Sequence, residues 1–430
     1  MPAVRVWIYV LLLTGCTINY VDRVALSVAA APIAAQFHVS PVGMGYLFSA
    51  FLWTYLVALI PWGLAVDRFG TRWTTACGMA IWSAATVLTG LAGGYGAVFA
   101  TRLLMGLGEA STYPAGGRVI REWIPGGERG LATVTFNSGG YAGPAFGAVL
   151  VGAVAAALGW RAGFLVAGAV GAVWLAVWLA WFRRPEDSRA LGAAERAKIL
   201  RERGSGADPH AGAGTGAGIG TLLRSRTLWA LFVTQGCAVY AQYLFLTWMP
   251  SYLQATRHLT LLKTGLYSAA PYAVAVLGAL LAGALSDRRL RARGGVAGRR
   301  RMVAAMMLLS AVILLVPLVR DTGVILLLFT VSLTGIASAV GLNIALLNDL
   351  LTEPGDSGKA NGVLVSGGNL FGLMAPILTG YVVAGTGRYD VAFVIAGALL
   401  LCGATVCLTL TRRPIAPAPR GIVGAFSPTA

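Results

Sequence analysis

Charged residues are scarce in this chain of 430 residues, of which 11% are Asp, Glu, Lys or Arg. A typical soluble domain carries about 25% charged residues, so the composition excludes an ordinary soluble protein. Hydrophobic residues make up 57% of the chain. This balance is typical of a protein that crosses a membrane many times.

Cysteine and histidine are also rare, and neither is arranged as a metal site or as a catalytic centre. The five cysteines are Cys16, Cys77, Cys237, Cys402 and Cys407. They fall within apolar runs without metal-ligand spacing, so we interpret them as small buried hydrophobic residues. The three histidines, His38, His210 and His258, lie outside those runs, which argues against a histidine proton relay. No nucleophile–base pair or phosphate loop is present, so we expect no cofactor, no metal and no enzymatic activity.

Twelve apolar runs are long enough to cross a bilayer as helices. We predict spans near 6–31, 44–66, 73–92, 96–118, 131–156, 160–182, 228–254, 265–286, 301–319, 322–348, 360–384 and 390–411. The predicted fold is an all-α membrane protein with an N-terminal six-helix bundle at 1–182 and a C-terminal one at 228–411. A cytoplasmic linker at 183–227 joins them, and a cytoplasmic tail follows at 412–430.

The formal net charge of +17 does not indicate nucleic-acid binding, because the basic residues lie in short loops between apolar runs. Most of the 33 Lys and Arg residues fall on the side that holds both termini, which predicts that this side is cytoplasmic. Arg5 leads directly into a full-length span, so no cleavable signal is expected. In the linker, 191–203 is predicted to lie along the inner membrane surface, and 204–220 is predicted to be a flexible tether.

An internal repeat supports two parallel bundles. Gly63-Leu64-Ala65-Val66-Asp67-Arg68 recurs as Gly283-Ala284-Leu285-Ser286-Asp287-Arg288, and each half closes with Arg-Arg-Pro. Parallel halves with a site between them at the membrane midplane describe a transporter that rocks between two faces.

Four charged residues lie inside predicted spans of the first half and clear of the span ends: Asp22, Arg23, Arg102 and Glu109. A charge at the bilayer centre costs about 2.5–3.5 kcal/mol on insertion scales, which suggests a function. Neighbours on a helix point about 100° apart, so Asp22 and Arg23 face different surroundings. Arg102 and Glu109 share one helix face about 10 Å apart. Because burial favours the neutral form of an unpaired carboxyl group, Asp22 and Glu109 are candidate proton carriers. The alternative is a static ion network between helices.

Several motifs resemble those of a known family. Gly63-x3-Asp67-Arg68-x-Gly70-x-Arg72 and Arg102-x3-Gly106-x-Gly108-Glu109-Ala110 resemble two signature motifs of the major facilitator superfamily. Together with Asn19-Tyr20-Val21-Asp22-Arg23, Gly45-Tyr46-x-Phe48-Ser49-Ala50-Phe51 and Phe245-Leu246-Thr247-Trp248-Met249-Pro250, the chain resembles the anion:cation symporter family. That family includes bacterial carriers of galactonate, hexuronates, glucarate, tartrate and phthalate, and the animal sialic-acid and vesicular glutamate carriers.

The resemblance implies roles for these residues. The acids matching Asp22 and Glu109 are the family's proton-coupling pair, with the arginine matching Arg102 as their charge partner. The arginine matching Arg23 holds the substrate carboxylate beside tyrosines matching Tyr20 and Tyr55, in keeping with the two parallel hydrogen bonds that a guanidinium offers. Tyr55 could instead serve only in packing.

The second half has no charged side chain clear of its span ends, so it can add only polar and aromatic contacts to substrate. The candidates are Gln235, Tyr243, Ser366 and Asn369, each of which could equally form interhelical hydrogen bonds. Sugar-acid carriers of the family tend to have glutamine where this chain has Gly140. That departure favours a less hydroxylated or aromatic carboxylate.

Gating residues are predicted at the loop after the second helix of each half: Gly63, Asp67, Arg68, Gly70, Arg72, Asp287 and Arg288. Asp67 can pair with Arg72 or with a basic residue of a neighbouring helix, and the glycines allow close helix approach and a tight turn. The alternative is a merely solvated charged turn.

The sequence therefore predicts a monomeric secondary transporter of the bacterial inner membrane that moves an organic anion inward with protons by alternating access. The alternatives are a proton-driven drug or metabolite antiporter and a receptor that kept the fold without transport. Sodium remains open as the coupling ion because carboxylates also bind it.

Overall fold

The computed structural model describes residues 3–188, 190–205, 219–293, 296–353 and 356–415, without the side chains of residues 3, 203–205, 287 and 289–293. Most of the predicted flexible tether at 204–220, and the predicted tail beyond residue 415, lie outside the described residues. The described residues form helices and connecting turns, with one isolated bridge between Leu351 and Ile415. The predicted all-α class is confirmed.

The first half contains eight helices, and two short helices lie in the linker. The first half comprises α1 (Ala3–Val28), α2 (Ala30–Phe37), α3 (Pro41–Phe69), α4 (Thr71–Gly90), α5 (Tyr95–Glu109), α6 (Thr112–Trp123), α7 (Arg129–Leu158) and α8 (Trp160–Trp181). The linker holds α9 (Ala193–Ser205) and α10 (Ile219–Leu223).

The second half contains six helices: α11 (Arg226–Arg257), α12 (Leu261–Arg293), α13 (Val296–Ser310), α14 (Thr322–Leu350), α15 (Ser357–Thr386) and α16 (Asp390–Leu410). A 3₁₀ segment, Ala311–Leu318, continues α13. Within the described residues, ten helical stretches are long and apolar enough to cross a membrane. The predicted spans at 73–92 and 96–118 are not among the ten.

The prediction of one helix over 96–118 is wrong, because the chain breaks between α5 and α6 at Ala110 and Ser111. Pro114 has no N–H group to donate to the Ala110 carbonyl, so the helical ladder is interrupted at that point. The first predicted span breaks at Ala29, next to Val28, whose carbonyl would otherwise accept the N–H group that Pro32 lacks. A proline thus follows both breaks within four residues, although α3, α7, α11, α12 and α15 each continue through a proline.

The two halves contact each other mainly through the helix pairs α3 with α15, α7 with α12, and α1 with α11. In the first two pairs, the second long helix of one half meets the fifth long helix of the other half. We call the end of the molecule that carries Arg5, Arg72, Arg118 and Arg299 the arginine-rich end. We call the opposite end, which carries His38 and His258, the far end.

The far end is closed by glycines that bring backbones together. A Cβ added at Gly45 would lie 2.6 Å from the Pro376 carbonyl oxygen, and one at Gly380 would lie 2.6 Å from that of Pro41. Between α7 and α12, a Cβ at Gly265 would lie 2.3 Å from the Ala148 carbonyl oxygen. Only glycine permits such approach, so both helix crossings depend on it.

Helix α9 of the linker packs onto the first half at the arginine-rich end. The Arg5 guanidinium donates to Glu195 at 2.6 Å and to Glu128 at 2.7 Å, and Leu191 and Ile199 are buried. These contacts fix α9 against α1 and the turn before α7.

Two of the five cysteines are exposed, contrary to the prediction. Cys16, Cys237 and Cys407 are buried, whereas Cys77 and Cys402 are exposed. The apolar pattern of a spanning helix does not separate a face toward the protein from a face toward lipid, because both are apolar.

Candidate functional site

A cavity of about 700 Å³ lies between the two halves. It extends from Arg23 toward the arginine-rich end, where its lining includes Val134 of α7, Gly283 of α12 and Ala345 of α14. Since the far end is closed by the glycine contacts, the cavity opens at the arginine-rich end. Its volume is within the range of small-molecule sites.

Arg23 of α1 forms a buried ion pair with Glu109, the last residue of α5. The distance between Arg23 Nε and Glu109 Oε2 is 2.8 Å, and the two side chains are 3% and 0% exposed. Arg23 Nη1 donates to the Tyr243 hydroxyl of α11 at 3.3 Å. Arg23 Nη2 is buried and has no hydrogen-bond partner among the described residues. The guanidinium thus joins both halves and keeps one donor group unused.

Aromatic rings surround the guanidinium. Its carbon atom lies 4.6 Å from the ring centre of Tyr20, 4.8 Å from that of Phe51 and 5.2 Å from that of Tyr55. A cation at this distance from a ring is attracted by the ring's quadrupole. The rings therefore attract the guanidinium without removing its charge.

Asp22 and Arg102 form a second buried charged group next to this pair. Asp22 is 1% exposed, and its carboxylate faces Arg102, Glu109 and Thr86. No described residue donates a hydrogen bond of normal geometry to either carboxylate oxygen. The nearby Thr86 hydroxyl donates instead to the Trp82 carbonyl at 3.0 Å. An ionised carboxylate that is buried without hydrogen-bond partners is unfavourable, so Asp22 stays a candidate proton site.

Arg102 does not hydrogen-bond to either acid side chain. Its Nη1 donates to the Asp22 backbone carbonyl at 3.3 Å and lies 2.9 Å from the Met105 sulfur. The structure thus pairs Glu109 with Arg23, where the sequence predicted Arg102. The two residues that share a face of α5 interact with different sides of α1.

Most predicted substrate residues line the cavity. These are Tyr20, Arg23, Tyr55, Gln235, Tyr243 and Asn369. Ser366 does not: on α15 the cavity meets Val365, Gly368 and Asn369, whereas Ser366 is exposed and donates to the Gly362 carbonyl at 2.9 Å. The Gln235 amide oxygen accepts from Asn343 at 2.9 Å, so this residue also joins α11 to α14.

Sequence reasoning missed two tyrosines of the cavity wall, Tyr113 and Tyr141. The hydroxyl groups of Tyr113 and Tyr20 lie 3.3 Å apart, and the buried Tyr141 hydroxyl has no partner among the described residues. A Cβ at Gly140, also on the wall, would lie 3.4 Å from the Tyr20 ring, an ordinary contact distance. The signal available in the sequence was the position of Tyr113 four residues after Glu109, one helical turn away.

The predicted gating loop lies at the arginine-rich end. Asp67 pairs with Arg118 of α6 at 3.2 Å, which selects the neighbouring-helix alternative. Arg72 instead donates to the Leu179 carbonyl at 2.7 Å. Gly70 has φ of 77° and forms the predicted tight turn, but the space around a Cβ at Gly63 is open within 4 Å. The expected close helix approach at Gly63 is therefore absent in this conformation.

In the second half, the corresponding loop has a different observed ion pair. Arg299 of α13 donates to Asp349 of α14 at 2.5 Å and to the Ser286 hydroxyl at 3.3 Å. Arg288 is exposed, and the side chain of Asp287 lies outside the described residues. Asp349 and Arg299 were not predicted as gating residues.

Comparisons with known proteins agree on one family. The sequence profile described as Major Facilitator Superfamily matches residues 12–298 and 294–429. The "Probable galactarate/D-glucarate transporter GudP" of Bacillus subtilis (strain 168) is 32% identical over 411 residues, which cover 92% of this chain and 89% of the relative. The "Probable sulfoacetate transporter SauU" of Cupriavidus necator is 31% identical over 397 residues, covering 91% and 90%.

Among solved structures, the chain is similar to a bacterial homolog of the human lysosomal transporter Spinster in an inward-facing, unoccupied conformation. The TM-score is 0.76 at 18% sequence identity, and the alignment covers 96% of this chain and 98% of the other. At this identity the likeness concerns the fold alone.

Proposed function

Because the chain belongs to the major facilitator superfamily, it is a multi-pass membrane transporter and not an enzyme, and we propose that it carries a small organic anion together with protons. The relatives are named as probable transporters of galactarate, D-glucarate and sulfoacetate, all of which are organic anions. Their names support an anionic substrate for this chain.

The proposed topology has twelve spans in two six-helix bundles, at 1–182 and 228–411, with both termini in the cytoplasm of a bacterial cell. It is supported by the concentration of basic residues at one end. On this assignment the arginine-rich end is cytoplasmic, the cavity opens inward, and one chain contains the whole pathway. Two of the proposed spans, α4 and the broken α5–α6 segment, are not among the ten helices that are long and apolar enough to cross a membrane; α5 has 15 residues and α6 has 12.

The observation that carries the proposal is the position of Arg23 on the cavity wall. Its guanidinium is buried among rings, is held by one carboxylate and keeps Nη2 unused. A substrate carboxylate can replace Glu109 and form two parallel hydrogen bonds with the guanidinium. Glu109 is then free to hold a proton, which links substrate binding to protonation.

The transport cycle follows from this exchange. A proton on Glu109 ends its ion pair, so that Arg23 binds the anion from the outer side. Asp22, which faces Arg102 and Glu109, offers a second proton site. The loaded centre rocks to the inner face and releases its anion and protons. The pair between Arg23 and Glu109 then forms again, and the empty carrier returns. Coupling arises because the proton and the anion both favour the state in which the pair between Arg23 and Glu109 is broken.

Purified protein in liposomes tests the proposal. Uptake of a panel of organic acids is measured with an inward proton gradient, without it, and with an inward sodium gradient. We expect one acid to accumulate only with the proton gradient. Glu109→Gln should still exchange that acid across the membrane but fail to concentrate it, and Glu195→Gln, on α9, is the control. Absence of movement for every acid, or accumulation independent of protons, would overturn the proposal.

A further inference from the structure

We infer that the substrate has one anionic head and an apolar body, as in an aromatic or branched carboxylate or sulfonate. The inference rests on the proposed function and narrows its substrate class. It departs from the hydroxylated dianions that the names of two relatives give.

A single cation serves the cavity. Among the described residues that line it, Arg23 is the only one with a charged side chain. The other buried arginine of this region, Arg102, is turned toward the Asp22 backbone and Met105. A second carboxylate on the substrate would therefore find no partner of opposite charge. Burying such an unpaired charge is strongly unfavourable.

The wall opposite Arg23 is mostly apolar. It is formed by α11, α12, α14 and α15, and its aliphatic members include Val239, Leu246, Val276, Val340 and Ile344. Two of its polar side chains are already engaged: Gln235 accepts from Asn343, and the Ser338 hydroxyl donates to the Thr334 carbonyl at 2.7 Å. The other polar side chains of this wall are Gln242, Tyr243 and Asn369. Sugar hydroxyl groups would therefore meet only a few polar partners among mostly aliphatic residues, whereas an apolar body would match most of this wall.

During alternating access the cavity closes around the substrate, so polar groups of the substrate that lack a partner on the wall become unfavourable. In the conformation described here, water can reach a second charge or a hydroxyl through the open end. When both ends close around the substrate, that water is lost, and each unmatched polar group remains without a partner. Substrate groups without a partner therefore destabilise the closed, substrate-bound state through which transport must pass.

Binding of four acids to the detergent-solubilised full chain tests the inference. The acids vary the number of carboxylates and the polarity of the rest of the molecule separately. Benzoate has one carboxylate and phthalate has two, each on an apolar body. Galactonate has one carboxylate and glucarate has two, each on a hydroxylated body. We expect benzoate to bind at least about tenfold more tightly than galactonate or phthalate, and at least about a hundredfold more tightly than glucarate. Benzenesulfonate distinguishes a sulfonate from a carboxylate preference. Arg23→Gln supplies the background for each acid.

A pair of variants on one helix tests the role of the wall. Val276 lines the cavity, whereas Val274, two residues earlier on α12, is 47% exposed and does not. Val276→Thr exchanges a methyl group for a hydroxyl of similar shape, so benzoate should bind about tenfold more weakly while galactonate does not. Val274→Thr, the control, should leave both affinities unchanged.

The outcomes separate the two claims. Tightest binding of galactonate or glucarate would overturn the inference and leave organic-anion transport standing. Equal affinity for phthalate and benzoate would overturn the single-charge requirement. If none of the acids binds above the Arg23→Gln background and none exchanges in liposomes, the inference and the proposed function both fail.

Discussion

The ion pair between Arg23 and Glu109 can be tested by a double-mutant cycle on the empty protein. The pair is fully buried, with 2.8 Å between Nε and Oε2. Breaking a buried pair by removing one partner costs about 3–5 kcal/mol, since the other charge is left uncompensated. We expect Glu109→Gln to lose that much, because a guanidinium keeps its charge at all accessible pH values. Arg23→Gln should lose less, because the remaining carboxyl group can become neutral by taking a proton.

The double variant carries two amide side chains, which can hydrogen-bond to each other. Its loss should be smaller than the sum of the single losses by at least about 1.5 kcal/mol, as for close charge pairs elsewhere. The assay is reversible unfolding in mixed micelles, with the same helicity signal for all four proteins. The exposed pair of Asp67 and Arg118 is the control, and its cycle should give less than about 1 kcal/mol.

Additive losses at the buried pair, within about 0.5 kcal/mol, would refute the reasoning, because independent sites behave in that way. A second result would also contradict it. A bound anion should stabilise Glu109→Gln more than the native chain, since the carboxylate that competes for Arg23 is gone. Equal stabilisation of the two proteins would show that Glu109 does not compete with substrate.

Three further predictions concern the anchor, the far end and the gating turn. Arg23→Lys should weaken anion binding by at least about tenfold, because an ammonium group lacks the planar fork; anion titration measures it, and retained affinity would exclude Arg23 as the anchor. Gly380→Val should hold the far end open and reduce uptake at least about tenfold, because its side chain would clash with the Pro41 carbonyl. Gly385→Val on the same helix, where the space is open, is the control, and comparable uptake by both variants would contradict the closure described. Gly70→Ala should cost about 1–3 kcal/mol of unfolding free energy, because its φ of 77° and ψ of 167° suit only glycine; a loss below that range would mean that the turn relaxes.

The fold class could be predicted from the sequence because apolar run length is a direct physical requirement of a bilayer. The break after Glu109 was also accessible in principle, since Pro114 cannot donate to the Ala110 carbonyl. It was missed because no charged residue lies between Glu109 and Arg118, so the run from 96 to 118 looked continuous. Run length alone does not reveal a missing hydrogen bond.

The charged residues could be identified as a group, but their pairing could not. Helical spacing places Arg102 and Glu109 on one face, yet it does not tell which helix approaches that face, or at what height. The partner of Glu109 is a residue 86 positions earlier in the chain, and only the approach of α1 to the end of α5 selects Arg23 over Arg102. The pairing of Asp67 could not be predicted for the same reason, because its partner Arg118 lies on α6, outside the loop motif at 63–72.

Which candidate substrate residues of the second half face the cavity depends on the rotation of their helices. Gln235, Tyr243 and Asn369 face the cavity, and Ser366 does not, although all four are polar residues within apolar helices. A residue's face follows from its neighbours in space, and an apolar helix in lipid carries little amphipathic signal to fix its rotation. Ser366 satisfies its hydroxyl within its own helix, which a serine can do on any face.

The four buried charges have a consequence for membrane voltage. Asp22, Arg23, Arg102 and Glu109, when ionised, sum to zero, so the empty carrier can return across the membrane field without moving net charge. A monoanion that enters with one proton leaves that sum at zero, and each additional proton adds one positive charge, worth about 2.3 kcal/mol per 100 mV. The current that accompanies uptake therefore reports how many protons exceed the charge of the anion. Uptake without a measurable current would indicate that one proton enters with each monoanion.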